Sequence, residues 1–159
     1  MKIDTTLHYQ LYTLLEKEKM ALDIFNRGRF SYMPHLISMA DFSGQHWLLE
    51  KTEMEDCFRL RTSLFGMNMW LDVINGGVFN GLLIVVSEEK YSGRIWEIKE
   101  SVSEENSFKV STFFNGVNKY IDLHRNGDFI NMPYLANEAN TSGQIWRVEK
   151  KKGTALECL

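Results

Sequence analysis

Ser142-Gly143-Gln144-Ile145-Trp146 closes a pattern that has already appeared twice, as Ser43-Gly44-Gln45-His46-Trp47 and Ser92-Gly93-Arg94-Ile95-Trp96, at intervals of about fifty residues. Working back from each tryptophan, an aspartate stands twenty-four positions upstream: Asp23, Asp72 and Asp122. Each aspartate is enclosed by apolar neighbours, in Leu22-Asp23-Ile24, Leu71-Asp72-Val73 and Ile121-Asp122-Leu123. The register extends without a gap to a glycine (Gly28, Gly77, Gly127), a phenylalanine (Phe30, Phe79, Phe129), a threonine (Thr13, Thr62, Thr112) and an upstream aromatic (Tyr9, Phe58, Phe108). Biased composition does not keep so many positions in step over three copies. The chain is an internal threefold repeat.

Each copy reads as short strands separated by turns. Tyr9-Gln10-Leu11, Phe58-Arg59-Leu60 and Phe108-Lys109-Val110 alternate apolar and polar residues, the period of a half-buried strand. After each aspartate comes an Asn/Gly-rich segment able to supply the positive φ angles of tight turns. Another apolar run leads to the Ser-Gly turn, and the tryptophan starts the last strand. Met20 to Phe25 has some helical character taken alone, but its register with the other copies predicts a strand. Three copies of about four strands are too few for a propeller, and a three-repeat solenoid would leave open faces. A closed threefold barrel leaves no sheet edge. The expectation is an all-β protein, a β-trefoil, with Trp47, Trp96 and Trp146 in its core and Leu22, Leu71 and Ile121 facing inward. One domain spans residues 1–159, with repeats at about 8–55, 56–105 and 106–152 and a tail at 153–159.

Bulk properties fit that reading and narrow the functions. A chain of 159 residues buries roughly 70% of its unfolded surface. The net charge of −3 comes from interspersed signs, which argues against nucleic acid and anionic membranes as partners. Lys150-Lys151-Lys152 is the one basic run and reads as a solvated end. No stretch reaches the ~20 apolar residues of a membrane span, and the start MKIDTTLHYQ lacks a signal-peptide core. These features predict a soluble protein, cytoplasmic or exported without a leader. Cys57 and Cys158 have no metal or disulfide-framework spacing, and whether they pair is left open. The four histidines show no metal-ligand spacing. No nucleophile, Walker or dinucleotide motif is present, and aspartates related by the threefold repeat would lie too far apart for paired acid–base work. Neither an enzyme nor a cofactor or metal is expected.

Gln45-His46-Trp47 and Gln144-Ile145-Trp146, with Arg94-Ile95-Trp96 departing at the first position, resemble the Gln-x-Trp hallmark of the ricin-B-type trefoil lectins. The resemblance covers residues 8 to 150. It implies glycans or glycoconjugates as partners, held by the aspartate of each repeat and an aromatic platform, with the Gln and Trp chiefly structural. Asp23, Asp72 and Asp122 occupy the aspartate position, where the other role open to them is holding backbone amides of the turn. The platform aligns with Ile37, Val86 and Ala136, and the asparagine that usually precedes the glutamine is replaced by Gly44, Gly93 and Gly143. Trp70, where disulfide-bearing relatives carry a cysteine, reads as a space filler.

Strand periodicity offers a replacement platform two residues earlier, at His35, Ile84 and Tyr134. His35 with Asp23, and Tyr134 with Asp122, each place a ring beside a carboxylate, the pairing a sugar needs for its apolar face and its hydroxyls. Copy two, with Ile84 and Arg94, reads as degenerate. The candidate ligand-binding residues are therefore Asp23, His35, Gln45, Asp72, Asp122, Tyr134 and Gln144. The alternative is a protein-interaction module, a protease inhibitor or targeting domain whose sugar sites have decayed.

Overall fold

In each repeat the alternating segments become strands because one side chain in two has a core to enter. The computed structural model describes residues 2–62, 69–87 and 94–151. The first repeat supplies β1 (His8–Leu15), β2 (Glu18–Ile24), β3 (Pro34–Ser38) and β4 (Trp47–Lys51). The second supplies β5 (Cys57–Thr62), β6 (Met69–Val73), β7 (Leu83–Val86) and β8 (Trp96–Glu100). The third supplies β9 (Phe108–Phe114), β10 (Val117–Leu123), β11 (Pro133–Ala136) and β12 (Arg147–Lys150). The Ser-Gly-Gln segments form single 3-10 turns, Ser43–Gln45 and Ser142–Gln144. Met20 to Ile24 is strand, as its register requires.

All pairings are antiparallel, and they close a ring. β1 pairs with β4, β4 with β5, β5 with β8 and β8 with β9. A bridge between Phe108 and Trp146 leads on to β12, which returns to β1. Six strands thus make a barrel without an edge. The remaining strands form three hairpins, β2–β3, β6–β7 and β10–β11. A cycle of backbone bonds ties these together: Leu36 N–H donates to Asn131 O (2.8 Å), Val85 N–H to Tyr32 O (2.8 Å) and Leu135 N–H to Gly81 O (2.9 Å). The architecture is a β-trefoil.

The core follows the repeat. Trp47, Trp96 and Trp146 are at most 1% exposed, and Leu22, Leu71 and Ile121 are buried with them in one cluster. A buried indole N–H needs an acceptor. Each finds the carbonyl just before its repeat's aspartate: Leu22 O at 3.1 Å, Leu71 O at 3.1 Å and Ile121 O at 3.3 Å. The repeat threonines join neighbouring copies, Thr13 Oγ1 donating to Ile145 O (2.8 Å) and Thr112 Oγ1 to Ile95 O (2.6 Å). Hairpin turns are sequence-determined as well. Asn115-Gly116 takes the left-handed pair of angles that a two-residue turn prefers, whereas Glu16-Lys17 adopts the same angles without a glycine.

Trp70 is half-buried and donates its Nε1–H to Glu50 (3.0 Å), so it packs and bonds on the barrel wall. Cys57 is buried, while Cys158, Gly93, Lys152 and the tail 153–159 lie outside the described residues. Lys151 is half-buried, its Nζ 3.6 Å from Asp41 and its amide bonded to His8 O, so the basic run is partly built into the barrel rather than simply solvated.

All four histidines are shifted the same way. Burial pushes the imidazoles of His8, His35, His46 and His124 below their ordinary value. Lys151 reinforces this at His8 and His46, while Asp23 and Asp122 oppose it at His35 and His124. A histidine easier to protonate when unfolded makes the unfolded chain bind more protons below about pH 6.5. That contribution to stability is complete above the unfolded pKa and is lost as pH falls toward the folded values. Thermal melts between pH 7.5 and 5 are expected to show a falling Tm, reduced in slope by His35→Phe. A Tm that is flat or rises on acidification contradicts this.

Candidate functional site

Three corners lie at the ends of β2, β6 and β10, the first and third closed by a 3-10 turn. In register, Asp23 faces His35, Asp72 faces Ile84 and Asp122 faces Tyr134 across adjacent strands. Cross-strand neighbours of this kind have touching side chains. Each aspartate bends back on its own strand end, its Oδ1 accepting the next residue's N–H: Ile24 at 2.7 Å, Val73 at 2.8 Å and Leu123 at 2.8 Å. The second oxygen is also engaged. Gln45 Nε2 donates to Asp23 Oδ2 (3.2 Å), and Gln144 Nε2 to Asp122 Oδ2 (3.0 Å).

The aspartates therefore hold backbone, as one of their two expected roles required. Asp23 keeps 6% of its surface open and Asp122 8%, whereas Asp72 has none. Asp72 is thus the most enclosed of the three among the described residues.

The glutamines are part of the frame that holds the turn. Both are fully buried. Gln45 Oε1 accepts from Ala40 N (2.9 Å) and Gln10 Nε2 (3.1 Å), while its Nε2 reaches Ser38 O as well as Asp23. Gln144 repeats this with Ala139 N (2.9 Å) and Asn137 O (2.8 Å). With all polar atoms engaged, each amide locks the 3-10 turn to its aspartate.

The rings stand in pairs. His35 stacks on Phe25 with centroids 3.7 Å apart, and Tyr134 on His124 at 4.1 Å. Both pairs are half-buried. Phe25 and His124 occupy the same repeat position, two after the aspartate, so the first and third corners are each walled by a two-ring stack. Burial raises the Tyr134 hydroxyl above its ordinary value, and the neighbouring Asp122 adds to this. Tyr134 is thus a neutral donor at physiological pH. Copy two has Ile74 and Ile84 instead of rings.

Sequence reading missed Phe42, Thr141 and Arg125, and did not foresee where Arg94 points. Phe42, immediately before the first 3-10 turn, is 56% exposed. Its counterpart Thr141 donates its hydroxyl to Asp122 Oδ2 (3.0 Å), which marks this position as the corner's rim. Position 42/141 precedes a Ser-Gly turn and has no shared residue type, so no pattern flagged it. Arg125 donates from Nη2 to Ser142 Oγ at the mouth of the third corner. Arg94, in the glutamine's place, lies with Nε 3.6 Å from Asp72 Oδ2 and its guanidinium 5.5 Å over the Trp70 ring. A charged fork thus substitutes for the amide, and the second corner is filled from within. Among the described residues no His/Cys/Asp/Glu group has the arrangement to hold a metal ion.

No family model matches the chain, and no curated protein matches it in sequence. Solved structures do match in shape. Cry35Ab1 is 16% identical with a TM-score of 0.67, over 97% of this chain and 38% of its own. A mosquitocidal holotoxin is 16% identical with a TM-score of 0.74, over 95% of this chain and 18% of its own. The chain thus spans well under half the length of these two proteins. A ricin B-like lectin of Macrolepiota procera, solved in complex with lactose, is 19% identical with a TM-score of 0.68, over 95% of this chain and 100% of its own. At such identities the likeness is one of fold, and the fold is the β-trefoil that ricin B-like lectins share.

Proposed function

We propose that the protein is a carbohydrate-binding, lectin-like module that works mainly through its third corner and secondarily through its first. The observation that carries this is the Tyr134–Asp122 pair: a half-buried phenol, stacked on His124, directly across the strand from a carboxylate held rigid by Leu123 N–H and Gln144. A pyranose offers an apolar face to such a ring and hydroxyls to the Tyr134 and Thr141 oxygens, with the Asp122 carboxylate behind them accepting from Thr141. The first corner has the same wall in His35 on Phe25, with Phe42 on its rim. The shape shared with a lactose-bound lectin supports the reading. A shallow site of this kind binds with a Kd on the order of mM, about −4 kcal/mol, so useful retention comes from several corners on one multivalent glycan.

Tyr134→Ala is expected to weaken glycan retention about tenfold, equivalent to ~1.4 kcal/mol, within the range of a lost aromatic contact. Affinity chromatography on immobilised glycans measures it, with near-ultraviolet circular dichroism confirming the fold. Wild-type protein, correctly folded, that no glycan retains would end the sugar reading.

A second reading has its own observation. At the threefold axis, Phe30, Phe79 and Phe129 form an edge-to-face triad with centroids 5.8–5.9 Å apart. Arg29 lies over two of these rings, at 5.1 and 5.6 Å. Val78 and Ile130, on the same loops, are 79% and 53% exposed. An apolar surface with a cationic cap favours a protein partner. Capture of one partner in excess free sugar, lost on Val78→Asp, selects that reading.

A further inference from the structure

The two ring-walled corners differ in charge at the third position after the aspartate, which is Asn26 in the first repeat and Arg125 in the third. Arg125 belongs to the loop leaving β10, yet its Nη2–H donates to Ser142 Oγ in the 3-10 turn on the other side of the corner. The same turn carries Gly143, packed under the Asp122 carboxylate, and follows Thr141, which bonds that carboxylate. The guanidinium is therefore tied across the mouth of the corner. Its tether is a neutral hydroxyl, which leaves its charge uncompensated, and among the described residues no carboxylate lies within ion-pairing distance of it. One N–H of a five-donor fork is used, and the others remain for a planar or tetrahedral anion.

Asp122 does not cancel this charge for a ligand. Its exposed fraction is 8%, and its oxygens are turned inward to the Leu123 amide, Gln144 and Thr141. Thr141 and Arg125 are exposed at the rim, and beside them Tyr134 is half-buried, packed on the small cluster of Met33, Ile74, Leu82 and Met132.

We propose that the third corner selects an acidic sugar, a pyranose bearing a carboxylate or a sulfate, with its ring against Tyr134 and its anionic group on Arg125. The inference rests on the carbohydrate-binding reading and goes further by assigning a ligand class and a specificity residue. Charge-assisted, bidentate contacts of Arg with carboxylate or sulfate-type oxygens are the strong members of their class.

The test compares three matched glycoside sets on one array: neutral, uronate-bearing and sulfated. The full chain is applied as wild type, Arg125→Gln and Tyr134→Ala, each checked for folding by near-ultraviolet circular dichroism. Wild type is expected to favour at least one acidic set about tenfold over its neutral match, with the preference shrinking as salt rises. The two acidic sets tell carboxylate from sulfate. Arg125→Gln is expected to abolish the preference, bringing acidic binding down about tenfold to the level of the neutral set, while Tyr134→Ala weakens both. Equal binding of neutral and acidic sets, unaffected by Arg125→Gln, overturns the inference and leaves the sugar reading intact. Acidic binding that survives Tyr134→Ala overturns it too, since the anion would then be held without the ring. Folded wild type retained by no set overturns both readings.

Discussion

Gly143→Ala is expected to cost about 3–5 kcal/mol and lower Tm by roughly 10 °C or more. A Cβ built on Gly143 falls 2.2 Å from Asp122 Oδ1 and 3.0 Å from Leu123 N. Both neighbours belong to the frame: Oδ1 accepts the Leu123 N–H at 2.8 Å, and the carboxylate's other oxygen accepts from Gln144. The methyl group therefore dislodges a buried carboxylate from its donors as well as crowding a turn. Gly44 repeats the arrangement, with Asp23 Oδ1 2.1 Å from the added atom, so Gly44→Ala is expected to match it. Ser142→Ala, one residue away and exposed, is expected to change Tm little. Chemical and thermal denaturation of the three variants decides the matter, and a Gly143→Ala protein as stable as wild type would show that the carboxylate moves freely.

The same contact bears on placing an asparagine at this position. Gly143→Asn adds a larger group to space already occupied by Asp122. It is a destabilising change here, not a reconstruction of a site.

Trp47→Ala is expected to cost about 3–5 kcal/mol, a large share of the 5–15 kcal/mol available to an ordinary domain. The indole is fully buried in the main cluster, and its N–H serves the Leu22 carbonyl at 3.1 Å. Truncation opens a cavity at the barrel's centre and leaves that carbonyl without its donor. Trp47→Phe keeps much of the volume and is expected to lose about 1–3 kcal/mol. Urea denaturation followed by far-ultraviolet circular dichroism separates the two. If Trp47→Ala melts like Trp70→Ala, whose half-buried indole sits on the barrel wall, the indoles do not organise the core.

Why the barrel was readable and the corners only partly so has a physical reason. Core positions are set by volume and polarity, and three copies of Leu/Ile-Asp and Trp announce them three times over. The corners depend on side-chain partnerships that differ from copy to copy. His35 and Tyr134 were identified from strand period, but the rings they lean on, Phe25 and His124, sit in what reads as a turn. Phe42 and Thr141 share a position and no chemistry. The glycines read as a missing asparagine, whereas the structure shows a positive requirement: Asp23 and Asp122 occupy the volume a side chain would need. Arg94 read as a lost glutamine, and in the fold it meets Asp72 from the same place. Gln45 and Gln144 were candidates on family likeness alone, and only burial shows that they face inward.

The ring closure between β1 and β12 also governs how the molecule comes into being. β1 has as one of its partners β12, Tyr9 opposite Lys150. Two finished repeats still present an unpaired flank of backbone donors and acceptors until the third emerges. Such sequence-distant pairing slows folding and prolongs exposure of sticky intermediates. A folding chain thus stays open along that flank until β12 docks on β1.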